Sequence, residues 1–163
     1  FKAEIADTRK TAPGLRIFDK YAVSVGGGRN HRMNLSDGVL IKDNHLAALK
    51  NEGIDLGQSI RLARSRAPHT VRIEVEVDSI SSALTAAESG ADIVMLDNMS
   101  PEDMSIAVER ISDKCLIEAS GGITLENVIS VARSGVDIIS VGALTHSPRA
   151  MDISLDYEPI FDQ

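Results

Sequence analysis

Short apolar runs and longer helical spacings alternate along this chain. The runs AEIAD (3–7), AVSVG (22–26), GVLIK (38–42), RIEVEV (72–77), DIVMLD (92–97), CLIEA (115–119) and DIISVG (137–142) read as seven strands. Most are apolar on both faces, the pattern of a parallel sheet covered on both sides. Between the later runs, apolar residues recur at i, i+3, i+4 and i+7. Ile80, Ala83, Leu84 and Ala87 form one such stripe, Met104, Ala107, Val108 and Ile111 a second, and Leu125, Val128, Ile129 and Ala132 a third. Each stripe predicts an amphipathic helix. Ser100 before Pro101 predicts the start of the second, because a side-chain oxygen serves the free amides and the proline ring presets the first helical angle.

The chain also repeats itself. ESGADIVMLDN (88–98) aligns with RSGVDIISVGA (133–143) at an offset of 45 residues. In each copy a helix ends at Gly90 or Gly135, since glycine accepts the left-handed conformation just past a helix, and a strand follows. This alternation fits either an α/β barrel or an open doubly wound sheet. The polar residues decide between them. TRK, GGRNHR, DNH, an acidic pair, DN, SGG and GA stand just past successive strands. A parallel barrel gathers all such segments at one mouth, whereas an open sheet gathers only a few at its switch point. The expected fold is therefore α/β, a partial (β/α) TIM-like barrel with mostly parallel strands, in one domain over residues 1–163.

Composition narrows the partners. With 43% hydrophobic and 25% charged residues and five prolines, the chain is an ordinary globular one without low-complexity tracts. A net charge of -7, with 3% aromatics and no Trp, opposes nucleic-acid binding, which needs a basic face or a stacking platform. No apolar run reaches the ~20 residues of a membrane span, and no signal-peptide pattern opens the chain. Neither nucleic acid nor a membrane is an expected partner. Cys115 is the single cysteine, so it reads as a buried, inert thiol, and a reducing, cytoplasmic setting is expected.

Against this acidic background, cations cluster. Arg9, Lys10, Arg29, His31, Arg32 and Lys42 follow the first three predicted strands. Such a cluster calls for an anionic ligand, and guanidinium forks suit carboxylate or phosphate. Glu76 and Asp97 end two later strands, 21 residues apart. Facing a cationic pocket they read as oxygen ligands for Mg2+ or ribose hydroxyls, with a helix-capping role as the plainer alternative. Glu74 alternates with Glu76, points the same way and is a second candidate. Ser120, Gly121 and Gly122, ahead of a helix expected from Thr124, and Val141, Gly142 and Ala143 after the last strand, offer bare amides to a phosphate.

Six segments together, DTRKTAPGLR (7–16), VGGGRNHRMNLSDGVLIKDNH (25–45), EVEVDS (74–79), MLDN (95–98), EASGGI (118–123) and VGALTHS (141–147), are similar to the quinolinate phosphoribosyltransferases. These are the carboxylating nicotinate-nucleotide pyrophosphorylases, and the resemblance covers nearly the whole chain. It implies transfer of a phosphoribosyl group from phosphoribosyl pyrophosphate to quinolinate with decarboxylation, giving nicotinate mononucleotide, CO2 and pyrophosphate for NAD synthesis. Mg2+ is the implied cofactor and a homo-oligomer, dimer or hexamer, the implied assembly. By the same resemblance, Arg9, His31, Arg32 and Lys42 hold the two quinolinate carboxylates, with Thr8 and Lys10 completing the TRK element. Glu76 and Asp97 lie near Mg2+ and the ribose pyrophosphate, and Ser120, Gly121, Gly122, Val141, Gly142 and Ala143 cradle phosphate. Lys10, Lys42, Glu76 and Asp97 are the implied catalytic groups. His45 and His146 also fall in family motifs, with a structural role equally open.

The family has an N-terminal α/β sandwich before the barrel, and a partner subunit's copy supplies an arginine to the site. With nothing before Phe1 to supply it, these 163 residues are expected to keep a phosphate site but to turn over little. Competing readings are a paralogous phosphoribosyltransferase for another ring acid, a Schiff-base aldolase acting through Lys10 or Lys42, and a non-catalytic isolated barrel.

Overall fold

The computed structural model describes residues 1–157. In chain order the elements are β1 (Glu4–Ala6), α1 (Arg16–Val25), β2 (Val39–Ile41), α2 (Asp43–Lys50), α3 (Leu56–Arg66), β3 (Ile73–Val77), α4 (Ile80–Glu88), β4 (Ile93–Asp97), α5 (Pro101–Ile111), β5 (Leu116–Ser120), α6 (Val128–Arg133), β6 (Ile138–Ser140) and α7 (Ala143–His146). The strands pair in parallel in the order β1-β6-β5-β4-β3-β2. The sheet is barrel-like but not closed, for β1 and β2 remain its edges.

One predicted strand is a helix. AVSVG (22–26) forms the last turn of α1 and its cap, so the strands number six among the described residues. A five-residue apolar run has no period of its own, and here Lys20 and Val23, three apart, turn inward together. The glycine triplet therefore ends a helix. Gly26 caps it, Gly27 takes a φ of +86°, and a Cβ on Gly28 would stand 2.8 Å from Val23 Cγ1. Released this way, the chain crosses the gap between the sheet edges. Arg29 bridges to Ala6, its amide bonding Ile5 O at 2.8 Å. Arg32 Nη1 reaches Gly38 O, just ahead of β2, at 2.9 Å.

The repeat has a structural cause. Gly90 and Gly135 take φ of +90° and +93°, and the aspartate two residues on performs the same task in each copy. Asp92 Oδ2 accepts the Ile73 amide at 2.6 Å, and Asp137 Oδ2 accepts the Ile117 amide at 3.0 Å. Each carboxylate thus satisfies the first amide of the preceding strand that faces it, that of Ile73, the first residue of β3, and that of Ile117, the second residue of β5. Ser100 accepts the Asp103 amide with Pro101 in the first turn, as predicted for α5.

Ile73, Val75, Val94, Leu96, Ile117, Ala119 and Ile139 are fully buried under the helices. Burying each large aliphatic side chain stabilises the fold by roughly 1.5–3 kcal/mol. The first two helical stripes hold, with Ala83, Ala87, Met104, Ala107 and Ile111 buried. The third does not. Leu125 lies in a turn ahead of α6 and is 88% exposed, Ile129 is exposed, and Val131 is the buried anchor instead. Alternate strand residues point the other way, into the barrel, where Leu40, Ile93, Met95, Leu116 and Ile138 share the face with polar side chains: Glu74 and Glu76 on β3, Asp97 on β4, Glu118 and Ser120 on β5, Ser140 on β6.

Candidate active site

Because all six strands run in parallel, their C-terminal ends share one face of the molecule. Thr8–Lys10 follow β1, Lys42 follows β2, and Glu76, Asp97, Ser120 and Val141–Ala143 end or follow the others. Register keeps them adjacent, with Asp97 opposite Ser120 and the Val141 amide on Ala6 O at 2.9 Å. Thr145 Oγ1 donates to Lys10 O at 2.7 Å, and the Lys10 stem passes 3.9 Å from the place a Cβ on Gly142 would occupy. Thr8 Oγ1 accepts the Lys10 amide at 3.0 Å, so it shapes the TRK turn.

The basic side of the site hangs from the crossing segment. Arg32 is packed between Gly38 and the carboxylates. Burial lowers its pKa, Glu74 opposes that shift, and the nearby Arg9 adds to it. Arg9 Nε and Arg32 Nε are both buried without a hydrogen-bond partner among the described residues. Two guanidinium groups that repel each other and hold idle donors are a site for an anion. Arg16 braces this corner, donating to Thr11 Oγ1, Arg9 O and Met33 O. Arg29, expected at the mouth, is elsewhere: it pairs with Glu4 at the start of β1, 2.7 Å away and largely exposed.

Beneath the cations lies an acidic pair. His31 Nε2 stands 3.0 Å from Glu74 Oε2, and Ser140 Oγ donates to Glu118 Oε1. Burial, and then the charge of Glu74, push the Glu118 carboxyl up to about 7. Burial disfavours a charged His31, but the hydrogen bond and charge of Glu74, joined by Glu118, outweigh it, and its pKa is raised. The Arg32 amide opposes this from the other side of the ring, donating to Nδ1 at 2.7 Å. A protonated Nδ1 would have no lone pair for that amide.

His31, Glu74 and Glu118 bring donor atoms within 4.8 Å of one another, a span that a metal could bridge. Hydrogen bonding decides against it. With Nδ1 accepting from Arg32, the ring proton sits on Nε2, which donates to Glu74 and has no lone pair to offer. Both Glu74 and Glu76 face the interior, at different depths. Glu74 is buried on His31, while Glu76 is nearer the mouth and bonded to Lys42 Nζ.

Glu76 and Asp97 line a cavity of about 230 Å³ together with Asp43, Asp78 and Ser82. These hard oxygen donors fit Mg2+, which takes one or two carboxylates and completes its shell with water and phosphate. Next to Asp97, Asn98 adopts a φ of +54°, and Gly121 is pressed against it: a Cβ there would lie 2.8 Å from the Asn98 amide nitrogen. A Cβ on Gly122 would meet nothing nearer than Asn98 Oδ1 at 3.9 Å. The helix expected at Thr124 begins only at Val128, because Asn127 folds back, accepting the Thr124 amide and donating to Gly122 O. The amides near Ser120–Gly122 are thus those of a loop. His45 is structural, its Nδ1 accepting the Lys42 amide at 3.0 Å to cap α2. His146 Nδ1 is 2.6 Å from Ser147 Oγ.

Sequence reading passed over Asp7, Lys20, Asn98 and Glu118 as site residues. Glu118 had a signal, a lone carboxylate inside the apolar strand CLIEA, and Asp7 adjoined TRK. Lys20 had none, because nothing local says that a helical lysine turns inward.

The fold and site define a barrel-type α/β protein whose interior brings cationic side chains against buried carboxylates. Residues 1–156 match the family described as quinolinate phosphoribosyl transferase, C-terminal domain, and the chain belongs to that family. It is 47% identical over 159 residues to a probable carboxylating nicotinate-nucleotide pyrophosphorylase of Archaeoglobus fulgidus, covering 94% of this chain and 59% of that protein. It is 46% identical over 158 residues to the carboxylating nicotinate-nucleotide pyrophosphorylase of Mycobacterium leprae, covering 95% and 54%. The solved nicotinate-nucleotide pyrophosphorylase of Ehrlichia chaffeensis superposes with a TM-score of 0.88 at 41% identity, over 96% of this chain and 56% of that one. The chain thus spans just over half the length of these relatives.

Proposed function

We propose that this chain carries the site at which a phosphoribosyl group passes from phosphoribosyl pyrophosphate to quinolinate, with loss of CO2, to give nicotinate mononucleotide and pyrophosphate. The observation that carries this reading is the pair of mutually repelling guanidinium groups, Arg9 and Arg32, each with a buried Nε donor left without a partner among the described residues, beside His31. A ring dianion seated there satisfies both Nε donors and relieves their repulsion.

In this mechanism Arg9, His31, Arg32 and Lys42 orient quinolinate so that its ring nitrogen meets the anomeric carbon as pyrophosphate leaves. Holding the two reactants in register is itself a large part of the rate. Glu76 and Asp97 face the cationic sugar that develops in between. The positive charge of the now quaternary ring nitrogen stabilises the electron pair left on the adjacent ring carbon when its carboxylate departs as CO2, and that carbon then takes up a proton from solvent. Ser120, Gly121, Gly122, Val141, Gly142 and Ala143 hold phosphate through their amides, with Lys10 above Gly142 and Thr8 keeping its turn. Glu76 and Asp97 would also hold Mg2+, which when bound offsets the charge of the leaving pyrophosphate. Beyond the site, we take the whole protein to be a cytoplasmic homo-oligomer. The lone unpaired Cys115 and the exposed Ile17, Phe18, Tyr21 and Val25 of α1 support that reading. No described helix is long and apolar enough to cross a membrane.

Calorimetric titration with quinolinate, then with phosphoribosyl pyrophosphate and Mg2+, tests the proposal beside an Arg32→Ala variant. Quinolinate binding that the variant loses, with phosphoribosyl pyrophosphate binding kept, is the expected result. Equal quinolinate binding by both proteins would overturn the assignment of the dianion pocket.

A further inference from the structure

Asp7 and Lys20 are both buried, at 0% and 1% exposure, on different elements, and neither reaches the cavity that the site uses. Lys20 Nζ lies 2.7 Å from Asp7 Oδ1. The same carboxylate oxygen accepts the His31 amide at 2.6 Å, and the same ammonium donates to the His31 carbonyl at 2.9 Å. Both polar groups of one peptide residue are therefore clasped by one ion pair. The backbone repeats the grip two residues earlier, where the Asp7 amide bonds Arg29 O at 3.0 Å.

An ion pair taken wholly out of water gives a fold little that apolar side chains of the same size would not. What apolar side chains cannot do is fix the direction of a peptide's N–H and C=O. His31 sits in a segment with no strand or helix of its own, following a glycine triplet, so nothing else in its local sequence sets that direction. Its orientation matters twice over: it lays Nε2 on Glu74 and presents the next amide, that of Arg32, to Nδ1.

We propose that Asp7 and Lys20 are positioning residues whose buried pair aims His31 and Arg32 into the anion pocket and fixes the His31 ring as its Nε2–H tautomer. The second half of the claim concerns geometry alone. The first rests on the reading of His31 and Arg32 as the dianion site.

The test is an Asp7→Leu, Lys20→Met double variant of the full natural chain, which removes both charges without orphaning either. Ring nitrogen NMR shifts of His31 report the tautomer, and calorimetry reports quinolinate and phosphoribosyl pyrophosphate affinity. A folded variant should show His31 in mixed tautomers and bind quinolinate at least tenfold more weakly, with phosphoribosyl pyrophosphate affinity kept. An unchanged tautomer and unchanged quinolinate affinity in a folded variant would overturn the proposal. If the parent binds no quinolinate, the dianion reading fails by itself and the tautomer shift still decides the positioning claim. Should the double variant not fold, Asp7→Ala with Lys20→Leu, which likewise leaves no side-chain partner for the His31 amide and carbonyl, carries the same readouts with the same expectations.

Discussion

Replacing Glu118 by glutamine isolates the electrostatics at the bottom of the site. The carboxyl is buried, the residue being 1% exposed, and titrates at about 7 against an ordinary 4.5, chiefly through burial and then through the charge of Glu74. Between those two values the folded protein holds a proton that the unfolded chain has released. Stability therefore falls as pH rises through that window and is greatest below it. At about 1.4 kcal/mol per pH unit, the interval makes roughly 3 kcal/mol that the parent loses and the glutamine variant does not. Most other titrating groups cancel in the comparison, and the near-isosteric amide keeps a partner for Ser140. Urea unfolding of both proteins at pH 4.5 and pH 8 reads the difference. The variant's stability relative to the parent should improve by roughly 3 kcal/mol from the lower to the higher pH, on the order of 10 °C in Tm. A difference that stays constant across the range would refute the reasoning, for it would mean that Glu118 ionises as it does in water.

Gly121→Ala tests the junction between Asp97 and the phosphate loop. At a φ of +89°, with the Asn98 amide 2.8 Å from the new methyl, the substitution should cost about 2–3 kcal/mol and displace Asn98, measurable by denaturation and by weaker phosphoribosyl pyrophosphate binding. An alanine variant of parental stability would remove the argument that these two loops are packed together. Burial pushes the Cys115 thiol up to about 11, so at pH 8 the native protein should react with a thiol reagent only at the rate of its unfolding. Rapid labelling of folded protein would show that the thiol is accessible.

How much of this molecule was legible beforehand differs by element. The strands β1 to β6 were marked by short runs rich in apolar and β-branched residues, continuous in β2 and β4 and alternating with glutamates in β3, because the helix-covered face of a strand needs apolar side chains whatever surrounds it. Helices α1 to α3 were not. In α1 the inward residues are Lys20 and Val23, while Ile17, Phe18 and Tyr21 face solvent, so its burial pattern contradicts its hydrophobicity pattern. That inversion is also why AVSVG reads as a strand.

Local chemistry alone determined the parallel α/β layering, the helix start at Ser100, the helix stops at Gly90 and Gly135, and the set of charged residues after the strands. Those features depend on neighbours within a few positions of the chain. The tertiary structure decided which charges meet. Arg29 left the mouth for Glu4, Glu74 went below His31 and Glu76 to Lys42, and Lys20 crossed thirteen positions to reach Asp7. Coulomb attraction and desolvation depend on distance and depth in space, and only the folded chain sets either.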